Sequence, residues 1–270
     1  MRTAPPIVDE GIRCGDPKPS QDDPLRYNTY SLGPEFEVAD ATVPAAPPTS
    51  GDFHSAFRLE NGTLAVVIGD VVGHGAEASA HATVLCRAIE GCLIEGLPPK
   101  EALGFVNAAA EMSTEFEGFA TAFVGTLDPA TGRLTYASGG HEPGIVAKPV
   151  VFSAGDRDRK PDTLQELDTT GPPLGVLGGD EVQYEEHTVN IADGGTLLLY
   201  TDGITEARRS REILGIERLR TLFQKCLTLA PLRIAHKIIG YARAFTGSKL
   251  KLRDDAALLV LRRRKKKPGS

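Results

Sequence analysis

The sequence has no apolar run long enough to cross a membrane, and it has no paired cysteines. No segment approaches the roughly 18 consecutive apolar residues of a membrane-spanning helix, and residues 1–9 lack the apolar core of a secretory signal. The four cysteines, Cys14, Cys86, Cys92 and Cys226, include no Cys-x-x-Cys pair. This disfavours a disulfide framework or zinc site and favours free thiols in a reducing compartment. These absences predict a cytoplasmic protein without a membrane span.

Positive charge is scarce outside the C-terminus. The chain has 30 basic and 36 acidic side chains, and six of the basic ones form the run 262–267. Outside this run the chain has 24 basic and 36 acidic residues, which gives a net charge of −12. This charge argues against a nucleic-acid-binding surface in the folded body. The basic run itself could contact nucleic acid or anionic lipid, but a short terminal run of this kind is more often simply solvated.

The length and composition fit a globular protein. With 270 residues, 41% of them hydrophobic, the chain can form one large domain or two small ones around a buried core. Nine of the nineteen prolines fall within the first 50 residues. We therefore expect a disordered or loosely ordered arm over residues 1–27, a folded domain over 28–261 and a basic tail over 262–270. Prolines should keep any strand within residues 27–43 short or peripheral.

Periodicity and turn signals predict the order of the remaining elements. An Asn-Gly turn at positions 61–62 lies between two short apolar stretches and predicts a hairpin. The other predicted elements are helices over 76–94, 100–115, 216–229 and 232–245, strands over 121–127, 134–138, 144–147, 182–191, 196–200 and 256–261, and a surface loop over 153–168. Strands and helices do not alternate one by one. This favours an α+β fold, with antiparallel sheets and helices packed outside them, over a doubly wound sheet.

Two aspartates are placed symmetrically about the predicted hairpin turn. Asp52 lies nine residues before Asn61 and Asp70 nine residues after it. If the hairpin turns about Asn61, the two carboxylates face each other. If the loop is only positions 61–62, Asp52 instead opposes Val71. In either register two carboxylates, or a carboxylate and a backbone carbonyl, converge at one end of the hairpin. Carboxylates at cross-strand distance repel, so we interpret the pair as oxygen ligands for Mg²⁺ or Mn²⁺.

Three further aspartates lie beside predicted strands. Asp202 follows the strand predicted over 196–200, and Asp254 and Asp255 directly precede the last strand. Each of them taken alone is more simply a turn residue or a helix cap. Several aspartates at strand ends, two of them paired by hairpin geometry, favour a metal cluster.

Two histidines lie in glycine-rich turns. His74 lies between two glycines, and His141 follows two. Either ring could approach a metal-bound water or a phosphate, and either could equally brace its loop through hydrogen bonds. No Ser or Cys nucleophile lies in a recognisable setting around them.

Six short segments occur in the order typical of one protein family. They are residues 50–53 (SGDF), 69–75 (GDVVGHG), 137–143 (ASGGHEP), 173–176 (PLGV), 199–206 (LYTDGITE) and 254–257 (DDAA). Together they resemble the bacterial branch of the PPM (protein phosphatase 2C-like) serine/threonine phosphatases, the SpoIIE/RsbU type, over residues 30–261. A lone Thr-Asp-Gly carries little information, whereas six segments in the right order are specific.

The resemblance implies a fold and a metal site. The fold is a PPM-type α/β/β/α four-layer sandwich, in which paired helices flank two antiparallel β-sheets, and the site holds two divalent ions, Mn²⁺ or Mg²⁺. The motif match assigns the metal ligands to Asp52, Asp70, the carbonyl of Val71, Asp202 and Asp254. In this assignment Asp70 contacts both ions, and Asp255 supports the ligands without binding an ion itself.

The resemblance also implies an activity. It is the hydrolysis of phosphoserine or phosphothreonine by a water activated between the two metal ions, with Asp52 and Asp70 acting through that water. A metal-bound water or one of the histidines, His74 or His141, would protonate the leaving oxygen. The implied substrate is a phosphorylated STAS-type anti-sigma-factor antagonist in a partner-switching pathway.

Two alternative functions stay open at this stage. The chain could be a phosphatase-like scaffold that binds a partner without turnover, although scaffolds tend to lose metal ligands and all four aspartates are present here. It could also hydrolyse small phosphoesters. Neither the oligomeric state nor the physiological metal follows from the residues.

Overall fold

Two antiparallel β-sheets stack face to face in the computed structural model, which describes residues 25–45, 47, 49–113, 116, 118–149, 164–178, 182–247 and 252–265. The strands of the described residues, in chain order, are β1 (Arg26–Ser31), β2 (Phe36–Val43), β3 (Asp52–Arg58), β4 (Leu64–Val71), β5 (Ala120–Leu127), β6 (Arg133–Gly139), β7 (Gly144–Ala147), β8 (Leu164–Leu167), β9 (His187–Asn190), β10 (Thr196–Tyr200), β11 (Arg208–Arg209), β12 (Glu212–Ile213) and β13 (Ala256–Arg263). The helices are α1 (Ala76–Ile94), α2 (Pro99–Met112), α3 (Asp202–Thr205), α4 (Gly215–Cys226) and α5 (Pro231–Thr246).

The two large sheets contain six and five of these strands. The first has the order β1-β2-β13-β10-β7-β8 and the second the order β3-β4-β5-β6-β9, and the neighbouring strands are antiparallel throughout. The ends of β2, β4, β6 and β10 and the starts of β3, β5 and β13 lie at the same end of the stacked sheets. Connections at this end can therefore bring distant parts of the sequence together.

Three hydrophobic layers hold the sheets and helices together. Successive side chains on a strand point to opposite faces, so Val67 of β4 packs toward α1 and α2 while Ile68 packs toward the other sheet. In the same way, Leu258 of β13 packs toward α4 and α5, whereas Leu259 joins the layer between the sheets. Both sheets are thus covered on both faces, and this confirms the predicted α/β/β/α sandwich of the α+β class. None of the described helices is long and apolar enough to span a membrane.

The prediction that any strand within residues 27–43 is short or peripheral is wrong for β2. β2 lies inside the six-stranded sheet between β1 and β13, and most of its side chains are buried. Pro34 lies in the turn before it and Pro44 directly after it, so the prolines delimit this strand and do not interrupt it. β1 also begins two residues inside the arm predicted over 1–27; residues 1–24 lie outside the described part.

The start of the predicted basic tail is part of the fold. β13 continues to Arg263, because Arg262 and Arg263 pair with β2. The Arg263 side chain is buried, forms an ion pair with Asp193 at 3.1 Å and donates to three backbone carbonyls. Arg262 donates to the carbonyls that follow α4. The boundary predicted at 261/262 is therefore wrong, since these arginines bind the folded body, while residues 266–270 lie outside the described part.

Three other predicted elements differ from the structure, one at the end of a helix and two at the edge of a sheet. α2 ends at Met112 and not at 115, because Ser113 is extended. The loop predicted over 153–168 contains the edge strand β8, although residues 151–163 are outside the described part. The strand predicted over 182–191 is reduced to β9, because residues 169–171 occupy the edge of β6 beyond Tyr136. Helix α1 and strands β7 and β10 have the predicted bounds.

Candidate metal centre

The β3–β4 hairpin places Asp52 and Asp70 directly opposite each other. This is the first of the two registers that the sequence allowed, with the turn centred on Asn61. The amide of Leu59 donates to the carbonyl of Thr63 at 2.8 Å, and Gly62 adopts the left-handed φ of 85° that such a turn requires. Both carboxylates therefore lie on one face at the end of the sheet.

Asp52 is buried and bonded to the opposite sheet. Only 8% of the residue is exposed, and its Oδ2 accepts a hydrogen bond of 2.7 Å from the hydroxyl of Thr201, which follows β10. Burial, followed by the negative charge of Asp70, raises the pKa of Asp52 well above its usual range, while the Thr201 hydroxyl acts in the opposite direction. This carboxyl group is therefore costly to ionise without a cation.

Asp70 connects the hairpin electrostatically to the other sheet. Burial and the negative charges of Asp202, Asp254 and Asp255 together raise its pKa to about 7, against the hydrogen bond with Asp52, which lowers it. Burial and the charge of Asp254 likewise raise the pKa of Asp202. The five aspartates singled out in the sequence thus form one electrostatically coupled group at the end where the sheets meet.

The second half of the group is positioned by the neighbouring strands β10 and β13. Asp202 is the first residue of α3, directly after the capping residue Thr201, and Asp254 and Asp255 directly precede β13. Gly203 of α3 packs so closely on this segment that a Cβ there would lie 1.8 Å from the carbonyl oxygen of Asp255. The close approach of α3 to the start of β13 brings Asp202 beside Asp254.

Asp255 holds the backbone that carries Asp52. Its two carboxylate oxygens accept hydrogen bonds of 2.7 Å from the amides of Ala45 and Gly51. Gly51 in turn lies against Val71, because a Cβ on Gly51 would be 2.9 Å from the Val71 carbonyl oxygen. Val71 donates its own amide to the carbonyl of Gly51 at 3.2 Å, so its backbone is held beside the paired aspartates.

The two candidate histidines have different surroundings. His74 is exposed on the loop before α1 and lines a shallow cleft with Glu77 and His81. His141 is 4% exposed, and its Nδ1 lies 2.8 Å from the hydroxyl of Thr121. Burial lowers the pKa of His141 to about 4, so the ring is neutral near pH 7. Both residues follow or lie between glycines in the sequence, and only their burial in the structure distinguishes them.

The donor set suits a hard divalent cation. It consists of carboxylate oxygens and a backbone carbonyl, and within the described residues no ion pair joins any of the five aspartates to a lysine or arginine. Oxygen ligands with unneutralised charge match the preference of Mg²⁺ and Mn²⁺. In the described part of the chain, no three Asp, Glu, His or Cys side chains are already arranged around one point for an ion.

Comparison with known proteins assigns this arrangement to a family. The family model described as stage II sporulation protein E (SpoIIE) matches residues 60–264, which is most of the chain. The chain belongs to the SpoIIE family. The matched range contains Asp70, Val71, Asp202, Asp254 and Asp255, whereas Asp52 lies just before it.

Individual relatives of the SpoIIE family support the same fold. The phosphoserine phosphatase RsbU of Bacillus subtilis is 25% identical over 229 residues, covering 85% of this chain and 64% of RsbU. The RsbU and RsbW domains of Rv1364c from Mycobacterium tuberculosis superpose with a TM-score of 0.71 at 27% identity, covering 87% of this chain and 62% of that one. The PP2C phosphatase domain of SpoIIE from B. subtilis gives 0.67 at 19% identity, covering 90% and 72%. This chain spans less than two thirds of RsbU and of the Rv1364c chain.

Three polar residues at the site escaped the sequence analysis. Thr201 supports Asp52 and also accepts the amide of Ala257 at 2.8 Å. Thr121 lies opposite Asp70 on β5. Burial and the charge of Asp202 raise the pKa of Glu142. Thr201 and Glu142 belong to the family motifs and could have been found there, whereas nothing in the sequence pairs Thr121 with Asp70.

Proposed function

We propose that this protein is a metal-dependent phosphatase that hydrolyses phosphoserine or phosphothreonine on a protein. The observation that carries the proposal is the convergence of the paired Asp52, which is buried, and Asp70, which is half-buried, with Asp202 and Asp254 from the other sheet. Membership of the SpoIIE family and the similarity to RsbU, a phosphoserine phosphatase, point to the same activity.

The carboxylates would hold two divalent ions, Mn²⁺ or Mg²⁺. Asp52, Asp70 and the carbonyl of Val71 would hold one ion, and Asp70 with Asp202 and Asp254 the other. When bound, such ions lower the pKa of water and neutralise phosphate charge. The proposal that Asp70 serves both ions is supported by its coupling to the carboxylates of both sheets.

The chain's own residues keep this oxygen-rich site in place. The Thr201 hydroxyl fixes one oxygen of Asp52, and Asp255 fixes the backbone at Gly51 before it. We propose that neither residue contacts the substrate. Their role is to preserve the spacing of the ligands, because misplaced ligands cost metal affinity.

Direct hydrolysis fits the site better than a covalent intermediate on a thiol. Cys86 lines the same cleft as Asp52, but burial raises its pKa to about 12. The thiol therefore stays protonated near pH 7 and is a poor nucleophile. Of the two candidate histidines, we propose that only the exposed His74 can protonate a leaving oxygen, since His141 is buried and neutral.

We further propose that the substrate is a phosphorylated STAS-type anti-sigma-factor antagonist of a partner-switching pathway. This is supported by the similarity to RsbU and to the protein Rv1364c, which carries RsbU and RsbW domains. A phosphorylated protein of this class would present its phosphoserine at the end of the sandwich where the aspartates meet.

Phosphate release from such a phosphoprotein, measured with Mn²⁺ and with EDTA, tests the proposal. Release that requires Mn²⁺ and disappears in Asp70→Asn would support it. Comparable release from a generic phosphoester alone would point to a small-molecule phosphatase. Tight binding of the phosphoprotein without any release would point to a scaffold and contradict the proposed activity.

A further inference from the structure

The turn between β6 and β7 carries the chain from one sheet to the other at the candidate metal centre. β6 belongs to the five-stranded sheet and β7 to the six-stranded sheet. The connection, residues 140–143, is short and lies at the end where the aspartates converge. Two of its residues have side chains that contact opposite halves of the site.

His141 contacts the half formed by the hairpin. Its Nδ1 lies 2.8 Å from the hydroxyl of Thr121, and Thr121 is directly opposite Asp70 on the neighbouring strand. Asp52, Asp70 and Thr121 therefore form one row across β3, β4 and β5, with their side chains on the same face of the sheet. The imidazole of His141 extends this row by one residue.

Glu142 contacts the other half. Its Oε2 accepts a long hydrogen bond of 3.4 Å from the hydroxyl of Thr205, and the same hydroxyl lies 3.2 Å from the carbonyl oxygen of Asp202. Thr205 is the last residue of the short helix α3, which begins with Asp202. Adjacent residues of one turn thus contact β5 on one side of the centre and α3 on the other.

The backbone of the turn is itself held tightly. The amide of Gly140 lies 2.9 Å from the carbonyl of Gly171 and 2.9 Å from the hydroxyl of Thr169. Gly140 adopts a φ of 62°, and a Cβ there would lie 2.4 Å from the ring of Pro173. The backbone that leads into His141 and Glu142 is therefore held by the fold.

We propose that His141 and Glu142 are positioning residues that set the distance between the two carboxylate groups of the metal centre. This rests on the proposed function, because it assumes that Asp52 and Asp70 act together with Asp202 and Asp254. His141 acts through Thr121 on the strand beside Asp70, and Glu142 acts through Thr205 on the helix that carries Asp202. Neither residue binds a metal ion or the substrate.

Mn²⁺ titration of the metal-free protein by calorimetry tests this role without using turnover. Thr121→Val and Glu142→Ala should each weaken Mn²⁺ binding by about 10-fold to 100-fold, as loss of a residue that orients ligands typically does. Thr121→Ser and Glu142→Gln should bind Mn²⁺ nearly as the wild type does, because the hydroxyl and an accepting oxygen are retained. His141→Asn should also be mild, because its amide can replace Nδ1.

Matched controls lie far from the centre. Thr131 donates its hydroxyl to Asp128 in the turn at the opposite end of β5 and β6, so Thr131→Val removes a comparable bond there. Glu60 is exposed in the turn at the end of the β3–β4 hairpin opposite the centre, so Glu60→Ala removes a carboxylate without disturbing the centre. Both controls should leave Mn²⁺ affinity unchanged, and circular dichroism should give the same folded signal for every variant.

The outcomes separate this inference from the proposed function. Equal loss of affinity in Glu142→Gln and Glu142→Ala would identify Glu142 as a metal ligand and overturn its positioning role. Unchanged Mn²⁺ affinity in both Thr121→Val and Glu142→Ala would overturn the inference altogether. If the wild type binds Mn²⁺ with the expected variant pattern but releases no phosphate, the proposed function fails and the inference stands. If the wild type binds no Mn²⁺, both are wrong.

Discussion

Replacing Asp70 by asparagine should stabilise the metal-free protein above neutral pH while it destroys the metal site. Burial and the surrounding carboxylates raise the pKa of Asp70 from 3.8 to about 7 in the folded state. Between these values the folded protein holds a proton that the unfolded chain has lost. Stability therefore falls as the pH rises through this window, and it is fully regained below about pH 4.

The size of the effect follows from the same two pKa values. A pKa change of one unit corresponds to about 1.4 kcal/mol. The change in the pKa of Asp70 from 3.8 to about 7 therefore lowers the free energy of unfolding at pH 8 by at most about 4 kcal/mol. The real value will be smaller, because Asp52 shares a hydrogen bond with Asp70 and the pair titrates together. Asparagine keeps the shape without the charge, so we expect Asp70→Asn to gain about 1 to 4 kcal/mol at pH 8 and almost nothing at pH 4.

Urea unfolding in EDTA at pH 4, 6 and 8 measures this gain directly. Glu60→Gln is the control, because Glu60 is exposed in the turn at the end of the β3–β4 hairpin opposite Asp52 and Asp70. A variant Asp70→Asn that is less stable than the wild type at pH 8 in EDTA would refute the reasoning. With excess Mn²⁺ the order should reverse, because the wild type gains binding energy that the variant has lost.

Three other changes test separate parts of the structure. Asp202→Ala should leave the melting temperature in EDTA unchanged or slightly higher, and it should flatten the increase in melting temperature with Mn²⁺, since bound Mn²⁺ stabilises the folded wild type by about 2.7 kcal/mol at a hundredfold excess over Kd. If the melting temperature of the variant still increases with Mn²⁺, Asp202 is only a turn residue. Thr201→Val should cost about 1 to 3 kcal/mol in urea unfolding, because it leaves Asp52 and the Ala257 amide without their bonds, and a neutral result would contradict these contacts. Truncation after residue 265 should preserve turnover of a small phosphoester, whereas truncation after residue 261 should lower the melting temperature, because it removes Arg263 and its buried bonds.

Patterns among residues close together in the sequence were sufficient to predict the hairpin and the bounds of several helices and strands. The symmetry of Asp52 and Asp70 about Asn61 predicted that they converge at one end of the hairpin, and it left two registers open. The structure has the register in which they pair, because the register is set by the turn that joins the strands. The bounds of α1 followed from an alanine-rich stretch without proline that ends before Pro98. Both features depend on residues close together in sequence.

Sheet order and edges could not be predicted in the same way. β2 is an interior strand because β13, more than 200 residues later, pairs with it, and no pattern within residues 27–43 contains that information. The shortened β9 has the same kind of cause, since residues 169–171 compete for the edge of β6. Predictions from periodicity fail where a partner distant in the sequence decides between interior, edge and loop.

The basic C-terminal segment illustrates why charge counts alone mislead. Six consecutive cations suggested a solvated tail. In the structure, however, Arg262 donates to backbone carbonyls directly after α4, and Arg263 donates to backbone carbonyls of the β5–β6 turn. Each such group can donate up to five hydrogen bonds in a plane, so arginine can satisfy several loop carbonyls at once. Arg262 and Arg263 therefore stabilise the end of the sandwich opposite the candidate metal centre.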